Sequence, residues 1–184
     1  PTADLIERVG RRGLFVETDV TDPASVASLV ETVGDEFDAL DVLVNNVGSS
    51  RGDGPVGDLD HDDWQWILDV NATSAFLCSK YALGLLLADD GGAIVNMSST
   101  VGLQSTDGFS AYSAAKAAVT NLTRSLTVDY ADEGLRANSI HPSPVDTAGF
   151  RAMVDDPDSG PADQGGAVGD RGVRLASTEE VADV

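Results

Sequence analysis

The chain has 184 residues, long enough for one domain with a substantial core, and it contains no apolar run that could span a bilayer. Its 31 acidic residues outnumber its 11 basic residues and give a formal net charge of -20. Such a charge excludes nucleic acid and anionic membranes as partners. Because the acid is spread through loops and helix faces, we expect a halophilic protein; GC-rich codon bias is the alternative.

Cysteine and histidine usage argues against disulfides and metal sites. The single cysteine, Cys78, lies in an apolar stretch, which predicts a buried thiol in a cytoplasmic protein. His61 and His141 are far apart, and no cysteine or histidine cluster has the spacing of metal ligands. We therefore predict no metal site.

Strand-like and helix-like segments alternate along the chain. In chain order we predict a strand at 13–20, a helix at 23–37, a strand at 42–45, a helix at 62–87, a strand at 94–97, a helix at 111–130, a strand at 136–142 and a helix from 178. Asp22 is the expected N-cap of the first of these helices, with Pro23 at its first position. This alternation, with nearly continuous apolar strands, predicts an α/β fold whose parallel sheet is covered on both faces.

Several polar segments follow the predicted strands directly. In parallel α/β sheets, ligands bind beyond the carboxyl ends of the strands. The segments at such ends are Asp19, Asn45 to Gly48, Ser98 to Ser99 and Pro142 to Thr147. Their common position predicts a binding site, and the polar stretch at 148–172 is expected to be a mobile loop over the substrate.

Tyr112 and Lys116 are four residues apart in a predicted helix, so their side chains share one face. An ammonium group near a phenol favours the phenolate, so we expect Lys116 to lower the pKa of Tyr112. A tyrosine with a lowered pKa can donate and accept a proton during catalysis. Taken alone, this spacing arises often by chance and favours a pair of surface neighbours.

Two further side chains strengthen the catalytic interpretation. Ser99 ends a strand thirteen residues before Tyr112, where its hydroxyl could hydrogen-bond a substrate carbonyl, although a serine-rich turn would look the same. Asn71 lies inside an otherwise apolar helix, where asparagine is unfavourable unless it bonds backbone or water. A tolerated local kink is the alternative for Asn71.

Six motifs in this order and spacing resemble the short-chain dehydrogenase/reductase family. They are DVTD at 19–22, NNVG at 45–48, VNATSAF at 70–76, IVNMSS at 94–99, YSAAK at 112–116 and NSIHPSPVDT at 138–147. The resemblance implies a Rossmann-like, doubly wound parallel sheet in three layers. It also implies hydride transfer between NAD or NADP and an alcohol or ketone, as in 3-oxoacyl-carrier reductases and sugar or secondary-alcohol dehydrogenases.

The resemblance also assigns roles to individual residues. Tyr112 would be the general acid/base, Lys116 would lower its pKa and bond the nicotinamide ribose, Ser99 would polarise the carbonyl, and Asn71 would hold the water of a proton relay. The implied cofactor contacts are Asp19, Val20, Asn45, Asn46, Val47, Gly48, Tyr112, Lys116, Pro142, Ser143, Val145 and Thr147. A homo-oligomer, dimer or tetramer, is implied for the complete protein.

The chain departs from the family at both ends. It contains no Gly-rich turn between an apolar strand and a helix, so we expect residues 1–184 to be a single partial domain that lacks the N-terminal Gly-rich βαβ unit and the last strand. Val47 and Ser143 replace the alanine and glycine usual in the family, and Ser143 would be strained if its turn needed a positive φ. A catalytically silent fragment or binding module that cannot hold the dinucleotide is therefore the alternative to an enzyme. An epimerase or dehydratase is disfavoured, since only a short loop follows the last motif.

Overall fold

A three-stranded parallel sheet forms the centre of the computed structural model, which describes residue 6 and residues 8–145. Its strands are β1 (Val42–Asn45), β2 (Ala93–Met97) and β3 (Arg136–Ile140), in the order β1-β2-β3. Ala93 is level with both Val42 and Arg136. The strands therefore begin together, and their carboxyl ends lie along one edge of the sheet.

The helices agree closely with the segments predicted from the sequence. They are α1 (Pro23–Phe37), α2 (His61–Leu68), a π-helical turn (Asp69–Thr73), α3 (Ser74–Leu86) and α4 (Ser110–Tyr130), with short 3₁₀ turns at Thr100–Gly102 and Ala131–Glu133. The Asp22 carboxylate accepts hydrogen bonds from the backbone N–H groups of Ala24 and Ser25 and so caps α1 as predicted. No helix among the described residues has the length and hydropathy needed to cross a membrane.

The core lies between the sheet and the helices. It is a buried cluster from α3, α4 and the strands: Ala82, Leu86, Ile94, Leu126, Leu135 and Ala137. Helices α3 and α4 pack on the strands, and α1 packs on α3. On β1, Leu43 packs against this core, whereas the alternate side chains Val42 and Val44 are 50% and 55% exposed. The described residues thus form one helical layer on the sheet, and the second layer stays a prediction.

The segment predicted as the first strand, 13–20, is not a strand in the structure. Residues 11–19 have no ladder partner among the described residues, and Phe15 is 80% exposed. Local composition favours a strand here, but a strand needs a neighbouring backbone to take its hydrogen bonds. The predicted loop at 148–172 and the helix from 178 lie outside the described residues.

Two glycines fix the opposite, amino-terminal edge of the sheet. Gly91, before β2, has φ 93°, and Gly134, before β3, has φ 83°. A Cβ on Gly91 would lie 2.4 Å from the Gly134 carbonyl oxygen, and one on Gly134 would lie 2.6 Å from the Asp90 oxygen. The two loops therefore touch backbone to backbone, which only glycine permits at this distance.

Candidate active site

Lys116 lies at the centre of the candidate site. Helix α4 carries both it and Tyr112, and the Lys116 Nζ is 5.4 Å from the centre of the tyrosine ring. The lysine is only 3% exposed, and its Nζ donates a hydrogen bond of 2.8 Å to the Met97 carbonyl at the end of β2. The i, i+4 spacing therefore brings the pair to the carboxyl edge of the sheet.

Burial dominates the titration of both members of the pair. It lowers the pKa of Lys116 from 10.5 to about 8, since the protein interior disfavours the ammonium. Burial raises the pKa of Tyr112 for the same reason, because the phenolate loses its hydration. Burial therefore gives Tyr112 a raised pKa where we expected a lowered one. The contribution of Lys116 itself to the pKa of Tyr112 stays a prediction.

Asn71 approaches this lysine across the backbone of Gly48. A Cβ on Gly48 would lie 2.7 Å from the Asn71 Oδ1 and 2.9 Å from the Lys116 Nζ. No side chain can occupy that point unless at least one of these groups moves. The turn after β1, the π-helical turn and α4 therefore meet at Gly48, and the glycine is required by close approach.

The π-helical turn explains how an asparagine fits inside a helix. Asn71 is 1% exposed, and its Nδ2 donates to the carbonyls of Ile67 and Ser49 at 2.8 and 2.7 Å. Its Oδ1 accepts from the Ser49 N–H at 3.2 Å. Since π-helical turns leave backbone groups for side chains to satisfy, Asn71 both stabilises the turn and holds the loop after β1. The proton relay through Asn71 stays a prediction.

Ser99 begins the 3₁₀ turn that follows β2. Its Oγ accepts from the Val101 N–H at 3.3 Å and donates to the Pro142 carbonyl only at 3.5 Å. This long second bond leaves the hydroxyl hydrogen easy to redirect toward a substrate oxygen. The Ser99 carbonyl is 3.2 Å from the Nδ1 of His141, whose Nε2 is 2.9 Å from the Ser139 Oγ.

Asn45 belongs to a polar network under the site. Its Nδ2 lies 2.8 Å from the Asn96 Oδ1 and 3.2 Å from the Ser79 Oγ on α3. Asn96 is fully buried, and its own Nδ2 donates to the Thr123 Oγ1 on α4 at 2.8 Å. The Asn45 side chain thus ties β1, β2 and both helices together, which leaves its backbone for any cofactor contact.

The other predicted cofactor residues are spread along the sheet edge. Asn46, Val47 and Ser143 are exposed, whereas Pro142 and Val145 are half-buried; Thr147 lies outside the described residues. Ser143 does not have a positive φ, so the conditional strain expected there does not arise.

Asp19 and Val20 lie directly before α1, where Asp19 makes local hydrogen bonds. The Asp19 carboxylate accepts from the N–H and hydroxyl of Thr21, which lowers its pKa, and the Asp19 N–H donates to Ser25. None of the hydrogen bonds of Asp19 among the described residues reaches the cluster around Lys116. The predicted adenine contact of these two residues stays a prediction.

Two polar residues of the site, Asp53 and His141, were not predicted from the sequence. Ser98 was predicted only as part of a polar strand-end segment; its Oγ is 2.9 Å from the Lys116 carbonyl and 2.8 Å from the Thr120 Oγ1. Ser98 and His141 fall inside recognised motifs, so their position at strand ends was a usable signal. Asp53 carried no such signal. Across the residues described, no three histidine, cysteine or carboxylate side chains gather as a metal site.

This arrangement can exchange a proton at a substrate oxygen. No described residue takes a hydrogen bond from the Tyr112 hydroxyl, and Lys116 uses one of its three N–H donors on Met97. A phenol, an ammonium and a serine hydroxyl at the carboxyl edge of a parallel sheet define the class: a Rossmann-like oxidoreductase fold.

Comparison with known proteins identifies the family. The family model described as enoyl-(acyl carrier protein) reductase matches residues 1–184. Cis-4-hydroxycyclohexanecarboxylate dehydrogenase from Sinomonas cyclohexanicum is 44% identical over 155 residues, 83% of this chain and 62% of its own length. A short-chain dehydrogenase structure from Mycobacterium smegmatis is 36% identical with a TM-score of 0.72, covering 77% of this chain and 60% of that one. The structure of ElxO with NADP bound is 30% identical with a TM-score of 0.80, covering 92% and 68%.

The chain therefore belongs to the short-chain dehydrogenase/reductase family, and the resemblance and the Rossmann-like fold class are confirmed. The NADP-bound relative agrees with the predicted cofactor, NAD or NADP. The chain spans 62% of the length of the first of these relatives.

Proposed function

We propose that the complete protein is an NAD(P)-dependent oxidoreductase that interconverts a secondary alcohol and a ketone. The observation that carries the proposal is the position of Lys116, whose Nζ meets Met97 at the end of β2 and lies beside both Tyr112 and Gly48. The related dehydrogenase that acts on cis-4-hydroxycyclohexanecarboxylate supports a hydroxyl on a six-membered ring as the substrate group.

The chemistry requires one proton transfer and one charge to be stabilised. When bound, the nicotinamide accepts the hydride from the carbinol carbon in oxidation and returns it in reduction. As the phenolate, Tyr112 takes the hydroxyl proton while the carbonyl forms and becomes the neutral phenol; in the reverse direction the neutral phenol gives its proton to the alkoxide. Ser99 donates a hydrogen bond to the same oxygen, where negative charge develops.

The residues present fit the nicotinamide end of such a cofactor. Val47 and Gly48 are exposed, and the absent Cβ at Gly48 lets the backbone of this glycine lie against Lys116. Two N–H groups of Lys116 are left to bond the ribose hydroxyls once Met97 has taken one. The turn from Pro142 to Val145, in which Ser143 is exposed, would face the carboxamide.

The test is a panel of alicyclic and linear secondary alcohols and ketones, assayed on the full-length protein with each cofactor at low and high salt. We expect turnover of at least one ring alcohol or its ketone, seen in the absorbance of reduced nicotinamide. Absence of turnover together with absence of NADH binding, measured by NADH fluorescence, would favour the alternative: a catalytically silent fragment or binding module that cannot hold the dinucleotide.

We further infer a homo-oligomer built on α3 and α4. An apolar hollow between these helices is lined by Ala72, Thr73, Phe76, Ala118 and Leu122. Phe76 is 47% exposed there, an unusual position for a large aromatic side chain on a highly charged protein. Light scattering should give the mass of a dimer or tetramer, and Phe76→Asp should lower it; a monomeric parent would contradict the inference.

We also propose a cytoplasmic location and a halophilic source for the protein. Both proposals rest on its amino-acid composition.

A further inference from the structure

Asp53 is an acidic residue with an unusual environment for this chain. It is 3% exposed, whereas Asp58 and Asp60 of the same loop are exposed. Its Oδ1 accepts from the Ala111 N–H at 3.0 Å, and its Oδ2 accepts from the Tyr112 N–H at 2.8 Å. The Gly54 N–H also donates to Oδ1 at 2.9 Å. A buried carboxylate therefore holds the backbone of the proposed acid/base residue directly.

Helix α4 has no cap of its own. Its N-cap residue is Phe109, which has no side-chain oxygen and makes no capping hydrogen bond. The first N–H groups of a helix lack partners inside the helix, and the same end carries a positive partial charge. Asp53 lies 58 and 59 residues before the two N–H groups that it accepts from. Its carboxylate gives these groups their hydrogen-bond partners and places a negative charge at the positive end of the helix.

The loop that carries Asp53 is itself fixed at its other end. The Asp53 N–H bonds the Ser50 carbonyl at 3.1 Å, which closes a tight turn. Directly before it, Ser49 is held on both its N–H and its carbonyl by Asn71. Residues 49–53 therefore connect the buried asparagine of the π-helical turn to the first turn of α4.

We propose that Asp53 is a positioning residue for Tyr112. Its two oxygens set the position of the first turn of α4, and with it the distance between the Tyr112 hydroxyl and the Ser99 side of the site. The groups that govern the phenol are then Asp53 at its backbone, Lys116 on the same helix, and Ser99, whose carbonyl lies 3.2 Å from the Nδ1 of His141 directly after β3. The catalytic part of this inference rests on the proposed function.

The test compares Asp53→Asn and Asp53→Ala with Asp58→Asn in the full-length protein. Asp58→Asn removes the same charge from an exposed position of the same loop and is the matched control. Asparagine keeps the shape and one acceptor oxygen, so it should fold even where alanine fails.

Two readouts do not need activity. Hydrogen exchange at the amides of residues 111–112 should become about ten-fold faster in Asp53→Asn, since one bond is lost. The titration of Tyr112, isolated by subtracting the Tyr112→Phe protein in a tyrosinate absorbance titration, should move down by about 0.5 pH unit, because an anion near the phenol is removed. Unchanged exchange and an unchanged titration, as expected for Asp58→Asn, would overturn the proposal.

The kinetic readout then separates this proposal from the proposed function. We expect kcat to fall about ten-fold in Asp53→Asn and further in Asp53→Ala, with KM for the cofactor nearly unchanged. A lower melting temperature with an unaltered pH profile and kcat would show a purely structural role and overturn the positioning role. An inactive parent would refute the proposed function, while the exchange and titration measurements would still decide the role of Asp53 in holding Tyr112.

Discussion

At the scale of single residues, Tyr112 and Lys116 have their pKa values set by burial. The phenol is harder to ionise than a free tyrosine, and the ammonium loses its proton more easily than a free lysine. Both shifts favour the neutral forms, so the pair resists carrying charge in the interior. A positive charge next to the phenol, such as an oxidised nicotinamide ring supplies when bound, would favour the phenolate.

Tyr112→Phe should abolish turnover and leave the fold intact. The substitution removes the hydroxyl that exchanges the proton, and no described residue depends on that hydroxyl for a hydrogen bond. We expect kcat to fall about 10³-fold, with a melting temperature within a degree or two of the parent. Tyr130→Phe, at the far end of the same helix, is the control and should retain activity. Substantial turnover by the Tyr112 variant would refute its role.

Lys116→Met should change how stability depends on pH. The pKa of Lys116 is about 8 in the folded protein and 10.5 as the reference value, so the unfolded chain binds more protons between these values. Its burial therefore costs stability below about pH 8, and the cost is relieved as pH rises toward 10.5. The whole difference corresponds to roughly 3 kcal/mol.

Denaturant unfolding from pH 7 to 10 measures this effect as a difference: the free energy of unfolding of the parent minus that of Lys116→Met. We expect this difference to rise with pH, because the parent becomes more stable as its lysine loses its proton. Lys80, the other lysine, is exposed, and Lys80→Met should leave the pH dependence of the parent unchanged. A flat difference for Lys116→Met would show that the lysine keeps its ordinary pKa.

At the scale of elements, the site depends on where the turn after β1, the π-helical turn and α4 meet. The turn after β1 is held on two sides: Asn71 donates to its Ser49 carbonyl, and its Asp53 carboxylate accepts from the Tyr112 N–H of α4. Gly48 lets the turn lie close to Lys116. The buried Asn45–Asn96–Thr123 network fixes the same strands and helices from below. The position of the Tyr112 phenol therefore depends on several elements and not on α4 alone.

Gly48→Ala should disturb this meeting point. The new methyl group would lie 2.7 Å from Asn71 Oδ1 and 2.9 Å from Lys116 Nζ, so at least one of them must move. We expect a loss of about 2 kcal/mol in the free energy of unfolding and weaker cofactor binding. Gly57→Ala, in the same loop but with open space around it, is the control. Equal effects of the two substitutions on NADH affinity would contradict the proposed close approach.

Asn96→Ala tests the polar network between sheet and helices. The substitution leaves the Asn45 amide without its Asn96 acceptor and the Thr123 hydroxyl oxygen without its donor, in a fully buried place. We expect a loss of about 2 to 3 kcal/mol in the free energy of unfolding. Asn138→Ala, exposed on β3, should cost much less, and equal losses would exclude a stabilising network.

The sequence predicted the elements with strong local signals and missed what depends on distant contacts. The apolar runs near Val44, Ile94 and Ala137 form strands, and the Tyr112 to Lys116 spacing gives a shared helix face. The segment around Phe15 fails because a strand needs a partner that local residues cannot reveal. Asp53 was missed because its contacts lie nearly sixty residues away, and the tyrosine pKa was misjudged because burial is a tertiary property.

At the scale of the whole molecule, the net charge of -20 acts against compactness. Exposed carboxylates repel one another over a distance that salt shortens from about 10 Å at 0.1 M to about 3 Å at 1 M. The cation of Arg12, which pairs with Glu36 and lies 5.1 Å from the centre of the Phe37 ring, is one of few basic groups available to offset this repulsion.

Raising sodium chloride from about 0.1 to 1 M should therefore raise the melting temperature by roughly 5 °C or more. Sucrose at equal osmolality is the control for solvent effects that do not depend on charge. A melting temperature that stays flat or falls with salt would show that self-repulsion does not limit stability.

The backbone contact between Gly91 and Gly134 has an evolutionary consequence. Insertions into the loops at the carboxyl edge of the sheet can alter specificity while the strands stay in place. An insertion beside either glycine would separate two backbones that touch, and no side chain could restore the contact. We therefore expect natural variation in loop length to be confined to the catalytic edge of this molecule, while the opposite edge keeps a constant length.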